Sequence, residues 1–276
     1  MCPNCRAFIN IDDKVCPYCE TALGPRAAER RSPTDALGGL IPHARFTTTV
    51  ILLVNFGLYI ATTLYSMKGS GGMAFDIDGQ TLFAFGAKVP FGMMRGQWWR
   101  LVTAGFLHGG ILHILMNSWV LFDLGAQVEE VYGTSRYLVV YFVATITGFL
   151  ASAVFGNAGL SVGASAGILG LIGAMIALGV RHRHTAMGAS MRSHYTQWVI
   201  FIVVIGLLPG LQVDNAAHLG GLVGGFIVAY IANTPSALDV WQEKFWRVLA
   251  TVCVILTAVC FGLMFLNFAG SYRYVL

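Results

Sequence analysis

Seven long apolar runs constrain the fold of this chain more than any other feature of its sequence. Of its 276 residues, 56% are hydrophobic and 11% are charged, whereas a soluble domain carries roughly 25% charged residues. An apolar run of about 20 residues is long enough to cross the hydrocarbon core of a bilayer as a helix. The sequence therefore predicts an all-α, polytopic membrane protein.

The predicted spans differ in length, and several are too short to cross a bilayer alone. Short runs that contain glycine, histidine and asparagine must be sheltered by other helices, because unpaired polar groups are costly in hydrocarbon. The first run follows cysteines, prolines and charges, so we interpret it as a true span and not as a cleaved signal peptide. The spans are predicted near residues 47–66, 107–124, 136–156, 163–180, 196–210, 215–233 and 247–268.

Arginine and lysine near the span ends predict the orientation, because cytoplasmic loops carry an excess of both. Basic residues precede span 1 and lie between spans 4 and 5 and between spans 6 and 7. We therefore expect a cytoplasmic N-terminus and an outer C-terminus. Because the sequence shows no organelle-targeting segment, we expect a bacterial inner membrane. The net charge of +4 is attributed to topology and not to nucleic-acid binding. The long loop 67–100 disagrees with this orientation, since its predicted outer side carries Lys68, Lys88, Arg95 and Arg100.

Two CxxC motifs, CPNC and CPYC, lie within the first twenty residues and contain Cys2, Cys5, Cys16 and Cys19. Each motif turns the chain so that two thiolates meet one Zn²⁺, and two motifs supply the four ligands of a closed structural site. A segment of this size cannot build a hydrophobic core, so metal binding would supply its folding energy. A pair of redox dithiols and an iron site with the same ligands are the alternatives.

Ser165 lies near the start of span 4, in the stretch LSVGASAGILGLIGAM. A serine in a membrane helix usually packs against another helix or bonds to its own backbone. His218, however, lies at a similar depth in span 6, and an ionisable residue inside a span indicates function. Small residues on both spans permit close approach, which would place a nucleophile beside its general base. These residues are Gly163, Gly167, Gly170 and Ala174 in span 4 and Gly220, Gly221, Gly224 and Gly225 in span 6.

The stretch HGGILHILMN at the start of span 2 adds further polar side chains. His113 and Asn117 are four residues apart and share one helical face, where they could donate to an oxyanion together with the Ser165 backbone N–H. His108 lies further out and is predicted to support the same oxyanion group. Interhelical hydrogen bonding is the alternative role of His113 and Asn117. A catalytic metal is disfavoured by the spacing of the histidines. Asp214 is expected to cap span 6, so the predicted catalytic group is a dyad and not a triad.

Three stretches in this order, WWRLVTAGFLHGGILHILMN, VGASAGILG and AAHLGGLVGGF, resemble the rhomboid intramembrane serine proteases. The resemblance covers about residues 46–235. It implies a core of six transmembrane helices, an interfacial loop before span 2, and hydrolysis of peptide bonds in or beside the membrane helices of substrate proteins. By motif match, Ser165 would be the nucleophile, His218 the base, and His113 and Asn117 the oxyanion donors.

The cysteine motifs and the composition predict the organisation of the N-terminal residues, and the resemblance implies that the seventh helix lies outside the shared core. Residues 1–24 form the zinc-ribbon-like module, residues 25–45 a linker, and residues 236–276 a short loop and a seventh helix outside the core. Transmembrane proteins and membrane lipids are the expected partners, and nucleic acid is not expected. Catalysis is expected to need no cofactor. The partner of the module is left open. The alternative function is an inactive scaffold that binds transmembrane clients. Leu169 replaces an aromatic residue that packs on the catalytic histidine in some members.

Overall fold

The computed structural model divides the chain into two compact units, residues 1–43 and residues 44–276. The predicted linker, residues 25–45, and Cys2 lie outside the residues that the structure describes. Within the described part, regular structure is helical apart from isolated bridges, as the sequence predicts. The described residues are 5, 15–21, 46–70, 76–156, 158–208, 213–235 and 239–272.

The helices follow one another with short connections, apart from the segment between the first two long ones. That segment holds three short helices and one turn of 3₁₀ helix, Ala104–Phe106. The helices are α1 (Phe46–Ser70), α2 (Gly79–Ala84), α3 (Pro90–Met94), α4 (Arg100–Thr103), α5 (Ile111–Phe155), α6 (Ser165–Arg181), α7 (Ala186–Ile205), α8 (Asn215–Ala232) and α9 (Val240–Tyr272).

Helix α5 is two membrane crossings joined at Gly133. Its 45 residues would extend for about 68 Å as one straight helix, more than twice the hydrocarbon thickness. Gly133 has φ 72° and ψ 159°, which interrupts the helix and allows the chain to reverse. With this break, the described part contains the predicted six helices of a bundle and one additional C-terminal helix.

Among the described residues, length and composition alone identify four helices able to cross a membrane, Phe46–Lys68, Ile111–Phe155, Asn215–Ala232 and Val240–Gly270. Helix α6 is apolar but has only 17 residues. Every residue from Ala166 to Met175 is buried, because α5, α7 and α8 surround this helix. A helix that is apolar on all sides is typical of such a position. Protein and not lipid therefore covers most of α6.

Several predicted span boundaries differ from the helix ends, among them the starts of spans 2, 5 and 7, the last predicted at residue 247 and observed at Val240. The sequence predicts span 2 from residue 107, but α5 begins at Ile111, because the preceding residues form the separate segment of short helices. It predicts span 5 at 196–210, but α7 covers Ala186–Ile205. Thr185 caps this helix by accepting a hydrogen bond from Gly188 N at 3.0 Å. The first half of α7 is polar, so a search for apolar runs does not detect where this helix begins.

The contact between α6 and α8 is made backbone to backbone. A Cβ placed on Gly221 would lie 2.2 Å from Ala166 O, and one on Gly225 would lie 2.3 Å from Gly170 Cα. The predicted close approach of spans 4 and 6 is present, but only one of the two GxxxG pairs makes it. Gly220 and Gly224 instead face α5, where an added Cβ would lie 2.5 Å from Ala151 Cβ and 2.1 Å from Thr147 Oγ1.

Helix α9 is attached to the bundle near both of its ends. The buried Arg136 guanidinium donates to both Glu243 carboxylate oxygens at 2.8 and 2.7 Å, and to Ala232 O at 3.3 Å. Toward the other end, Gln97 Nε2 donates to Asn267 Oδ1 at 3.3 Å. Bidentate arginine–carboxylate pairs fix geometry well, so the seventh helix is held in a defined position on α5 and on the segment before α5.

Replacement of Gly225 by alanine should destabilise the bundle, because the new methyl group would enter the backbone of α6. Overpacking of this kind costs about 1–3 kcal/mol. Gly262→Ala in α9 is the matched control, since a methyl group added there would meet nothing within 4 Å; a helical Gly→Ala change in open space is neutral or slightly stabilising. Thermal unfolding in detergent should show a lower Tm for Gly225→Ala alone. Equal Tm values would contradict the close α6–α8 contact.

Candidate active site

Ser165 and His218 form a hydrogen-bonded pair at the start of two adjacent helices. His218 Nε2 lies 2.9 Å from Ser165 Oγ. Ser165 is the first residue of α6 and is half-buried, whereas His218 lies in the first turn of α8 and is 7% exposed. The backbone contact of Gly221 with Ala166, close to both residues in sequence, sets this separation. A hydroxyl at this distance from an imidazole nitrogen has the geometry of a nucleophile and its general base.

Asp214 caps the helix that carries His218 and does not orient the imidazole. Its Oδ1 accepts a hydrogen bond from Ala217 N at 3.0 Å, and its Oδ2 accepts one from Ser152 Oγ. His218 Nδ1 is buried and has no hydrogen-bond partner among the described residues. The pair therefore has the composition of a dyad.

His113 and Asn117 lie in the first two turns of α5, beside the loop that precedes Ser165. Gly163 in that loop has φ +129°, and a Cβ placed on it would lie 2.7 Å from His113 Nε2 and 3.6 Å from Asn117 Nδ2. Only glycine combines this backbone conformation with so close an approach. Asn117 Nδ2 is buried, and no hydrogen-bond acceptor for it is present in the described part of the chain. It is a donor available to a substrate oxygen.

His108 lies behind His113. The two imidazole rings pack edge to face with centroids 5.1 Å apart, and His108 is buried at 1% exposure. The structure therefore places His108 against the side chain of His113. The two residues are five positions apart, and they meet because the chain bends before α5. In this position its ring packs against the ring of His113.

Three helix N-termini converge on this site, those of α5, α6 and α8. The first N–H groups of a helix lack partners within the helix, and its aligned dipoles make this end positive. The Ser165 N–H belongs to the first turn of α6. Donors and dipoles that point to one place stabilise negative charge developing there. The arrangement is thus suited to nucleophilic attack on a carbonyl group and to holding the resulting oxyanion.

A second polar cluster lies beside the pair and was not predicted from the sequence. Lys88 is fully buried; its Nζ donates to Ala158 O at 3.1 Å, and its backbone forms an antiparallel bridge with Ser161. Burial holds the pKa of Lys88 below its usual value, and the charge of the nearby Asp214 carboxylate offsets only part of this effect. Burial raises the pKa of Asp214, but hydrogen bonds from Ser152, Ala217 and Ser161 and the Lys88 charge hold it below its usual value.

Burial also explains why loop 67–100 disagrees with the charge rule. Arg100 is fully buried and donates to Gln97 Oε1 at 2.7 Å, Phe83 O at 2.7 Å and Ala87 O at 2.9 Å. Like Lys88, it is a structural cation within the protein. Two of the four basic residues in this loop are therefore not orientation signals. The burial of these two side chains depends on tertiary contacts, so the sequence alone did not indicate it.

The cysteine motifs form a compact cluster in the N-terminal unit. The ligand atoms of Cys5, Cys16 and Cys19 lie within 4.8 Å of one another, and the Cys5 and Cys16 sulfur atoms are 3.7 Å apart. Sulfur atoms bound to one tetrahedral Zn²⁺ at about 2.3 Å lie about 3.8 Å apart. Backbone bonds from Cys16 N to Thr21 O and from Glu20 N to Cys16 O, both 2.9 Å, close the second motif into a turn. The described thiols therefore fit a metal site.

Comparison with known proteins identifies the family of the chain. The family model of the rhomboid domain matches residues 95–235. The chain is 32% identical over 253 residues to Rhomboid-like protease 1 of Toxoplasma gondii, covering 87% of this chain and 82% of that protein. It is 39% identical over 185 residues to Rhomboid protease GluP of Bacillus subtilis, covering 66% of this chain. The chain belongs to the rhomboid family.

Relatives also include RHOMBOID-like protein 1 of Arabidopsis thaliana, 37% identical over 135 residues and 48% of this chain. The matched region spans 34% of that protein and 34% of the Bacillus protein. The rhomboid match and the apolar helices identify an integral membrane protein.

Replacing Gly163 by alanine should displace His113 and Asn117 and strain the loop before Ser165. The positive φ and the 2.7 Å contact that an added Cβ would make with His113 both oppose a side chain here. We expect the rate at which a fluorophosphonate labels Ser165 to fall about 100- to 1,000-fold, as for loss of an oxyanion donor. Gly159→Ala in the same loop is the control, since its new methyl group would meet nothing within 4 Å. An unchanged labelling rate in Gly163→Ala would show that this glycine does not determine the geometry of the site.

Proposed function

We propose that this protein is an intramembrane serine protease that hydrolyses peptide bonds in or near the transmembrane segments of membrane proteins. The 2.9 Å hydrogen bond between Ser165 Oγ and His218 Nε2 carries the proposal. Its position at the ends of membrane helices, in a member of the rhomboid family, supports a membrane substrate. Residues 46–235 are the proposed protease core, residues 236–276 the loop and seventh helix, residues 1–24 the module and residues 25–45 its linker.

In the first half of the reaction, Ser165 Oγ attacks the carbonyl carbon of the scissile bond and transfers its proton to His218 Nε2. The carbonyl oxygen becomes an oxyanion, which accepts hydrogen bonds from the Ser165 N–H, Asn117 Nδ2 and His113. The tetrahedral intermediate collapses when the C–N bond breaks and His218 returns the proton to the leaving amine. The product of this half is an acyl ester on Ser165.

In the second half, water attacks the ester carbonyl while His218 Nε2 takes one of its protons. The ester bond breaks, the proton returns to Ser165 Oγ, and a carboxylic acid leaves. Water must reach the serine, so the site should open to one side of the membrane. The proposed side is the outer side of a bacterial inner membrane. In this orientation the N-terminus lies in the cytoplasm and the C-terminus lies outside. Catalysis by a serine–histidine dyad uses no cofactor.

Helix α7 is the proposed lateral entrance for the substrate. Of its 20 residues, only Gly188 and Tyr195 are buried. Trp198 and Phe201, toward its second half, are exposed apolar side chains. A helix with so few buried contacts moves at lower free-energy cost than α6 does. A substrate helix entering beside α7 would meet Ser165 near its own outer end, where glycine or proline loosens the backbone for cleavage.

A cleavage assay tests the proposed activity. Purified protein in liposomes is mixed with a panel of single-span substrates, beside Ser165→Ala and His218→Ala variants. We expect cleavage by the wild type and a loss of at least about 10³-fold in both variants, because removal of a nucleophile or its base leaves only residual catalysis. Binding of substrates without cleavage by the wild type would instead favour the alternative, an inactive scaffold for transmembrane clients.

The N-terminal cysteines are proposed to hold a structural Zn²⁺ through Cys5, Cys16 and Cys19, with Cys2 as the fourth ligand. The sulfur–sulfur distances of the three described thiols support this assignment. Bound metal would supply the folding energy of the unit and would join its two cysteine motifs. The rest of the chain does not need it for hydrolysis.

Metal analysis of the purified protein checks the zinc site. We expect about one zinc per chain in the wild type and loss of most of it in Cys16→Ser, because three thiolates bind Zn²⁺ less tightly than four. Cys253→Ser is the control, since Cys253 is a buried residue of α9 outside the cluster, and it should retain the metal. Iron in place of zinc, or equal metal content in the two variants, would contradict the assignment.

A further inference from the structure

Lys88 is a buried cation without a role in the reaction described above. It lies in the connection between α2 and α3, at the edge of the bundle, yet its side chain is completely inaccessible. Lysine is almost never fully buried unless it is paired, because removing an ammonium from water is costly. A buried lysine beside a candidate active site therefore calls for a specific function.

One set of Lys88 contacts reaches the loop that carries Ser165. Its Nζ donates to Ala158 O at 3.1 Å, and its backbone exchanges two hydrogen bonds with Ser161, at 3.1 and 3.0 Å. A further bond joins Gly163 N to Ala104 O at 3.0 Å. The residues immediately before Ser165 are thus held to the segment before α5 at several successive points.

The second partner of Lys88 is the helix that carries His218. Lys88 exchanges backbone hydrogen bonds with Ser161, whose side chain donates a hydrogen bond to the Asp214 carboxylate, and the Lys88 charge acts on the same carboxylate. Asp214 in turn caps the first turn of α8 through Ala217 N, and its own carbonyl accepts the hydrogen bond of His218 N at 3.0 Å. The position of Asp214 therefore determines where the first turn of α8, and with it the imidazole, is placed.

We propose that Lys88 is a positioning residue for hydrolysis, whose buried ammonium joins the loop before Ser165 to Asp214 at the start of the histidine helix. It bonds to the first element through Ala158 O and attracts the second through charge. Ser165 and His218 belong to two different helices, so their relative placement depends on what connects the ends of those helices. Lys88 contacts neither the substrate nor the reacting atoms. This inference rests on the proposed protease function.

The test uses Lys88→Met, which keeps the length of the side chain and removes its charge, and a double variant that also carries Asp214→Asn. Asparagine retains the oxygen that caps α8, and the double variant leaves no unbalanced buried charge. Lys68→Met is the matched control, because Lys68 is an exposed lysine at the end of α1 in the same loop. Tm, kcat and KM for a transmembrane substrate are measured for each protein, together with the rate of Ser165 labelling by a fluorophosphonate.

We expect kcat and the labelling rate of Lys88→Met to fall about 10- to 100-fold, as for a small displacement of catalytic groups, with KM within about twofold of the wild type. The double variant should regain Tm but not kcat, because the link to Ala158 O is still missing. Lys68→Met should match the wild type. Recovery of kcat together with Tm in the double variant would overturn the proposal, since Lys88 would then only balance a charge. Wild-type activity in Lys88→Met would overturn it as well.

Failure of the proposed function has a different signature. In that case wild type and Ser165→Ala would behave alike in cleavage and in labelling, and there would be no dyad for Lys88 to position. A wild type that labels at Ser165, beside a Lys88→Met variant that labels equally fast, rejects the positioning role alone.

Discussion

The close contact between α6 and α8 is the interaction on which the site depends. Side chains are absent from the contact at Gly221 and Gly225, so the two helices approach until backbone meets backbone. Membrane helices lack a hydrophobic driving force for association, and close packing of small residues replaces it. At this separation a serine on one helix and a histidine on the other are within hydrogen-bond distance. Larger side chains would move them apart.

A second requirement is that the buried charged side chains around the site have hydrogen-bond partners within the apolar helix bundle. The buried cations Arg100 and Lys88 satisfy backbone carbonyls of the loops around the site, and Asp214 caps the histidine helix. Each of these buried charges thus has hydrogen-bond partners inside the protein, which offsets the cost of removing it from water. These bonds tie the described residues before α5 to the loop before Ser165, whereas α7 has only two buried residues, Gly188 and Tyr195.

The sequence predicted the class of fold and the residues that meet in the site, because both depend on local signals. Apolar runs mark spans, and the polar residues Ser165, His218, His113 and Asn117 stand out within them. It did not predict the start of α7, whose first half is polar, or the separate partners of Gly220 and Gly221. It also counted Lys88 and Arg100 as orientation signals. Burial of a charge depends on tertiary contacts, which no local pattern of residues reports.

A structure of the protein after reaction with a fluorophosphonate tests the central claim most directly. The account predicts phosphorus bonded to Ser165 Oγ, His218 Nε2 still within hydrogen-bond distance of that oxygen, and the phosphoryl oxygen within about 3 Å of Asn117 Nδ2. An adduct on another residue would contradict the account. So would a phosphoryl oxygen directed away from Asn117 and the start of α6.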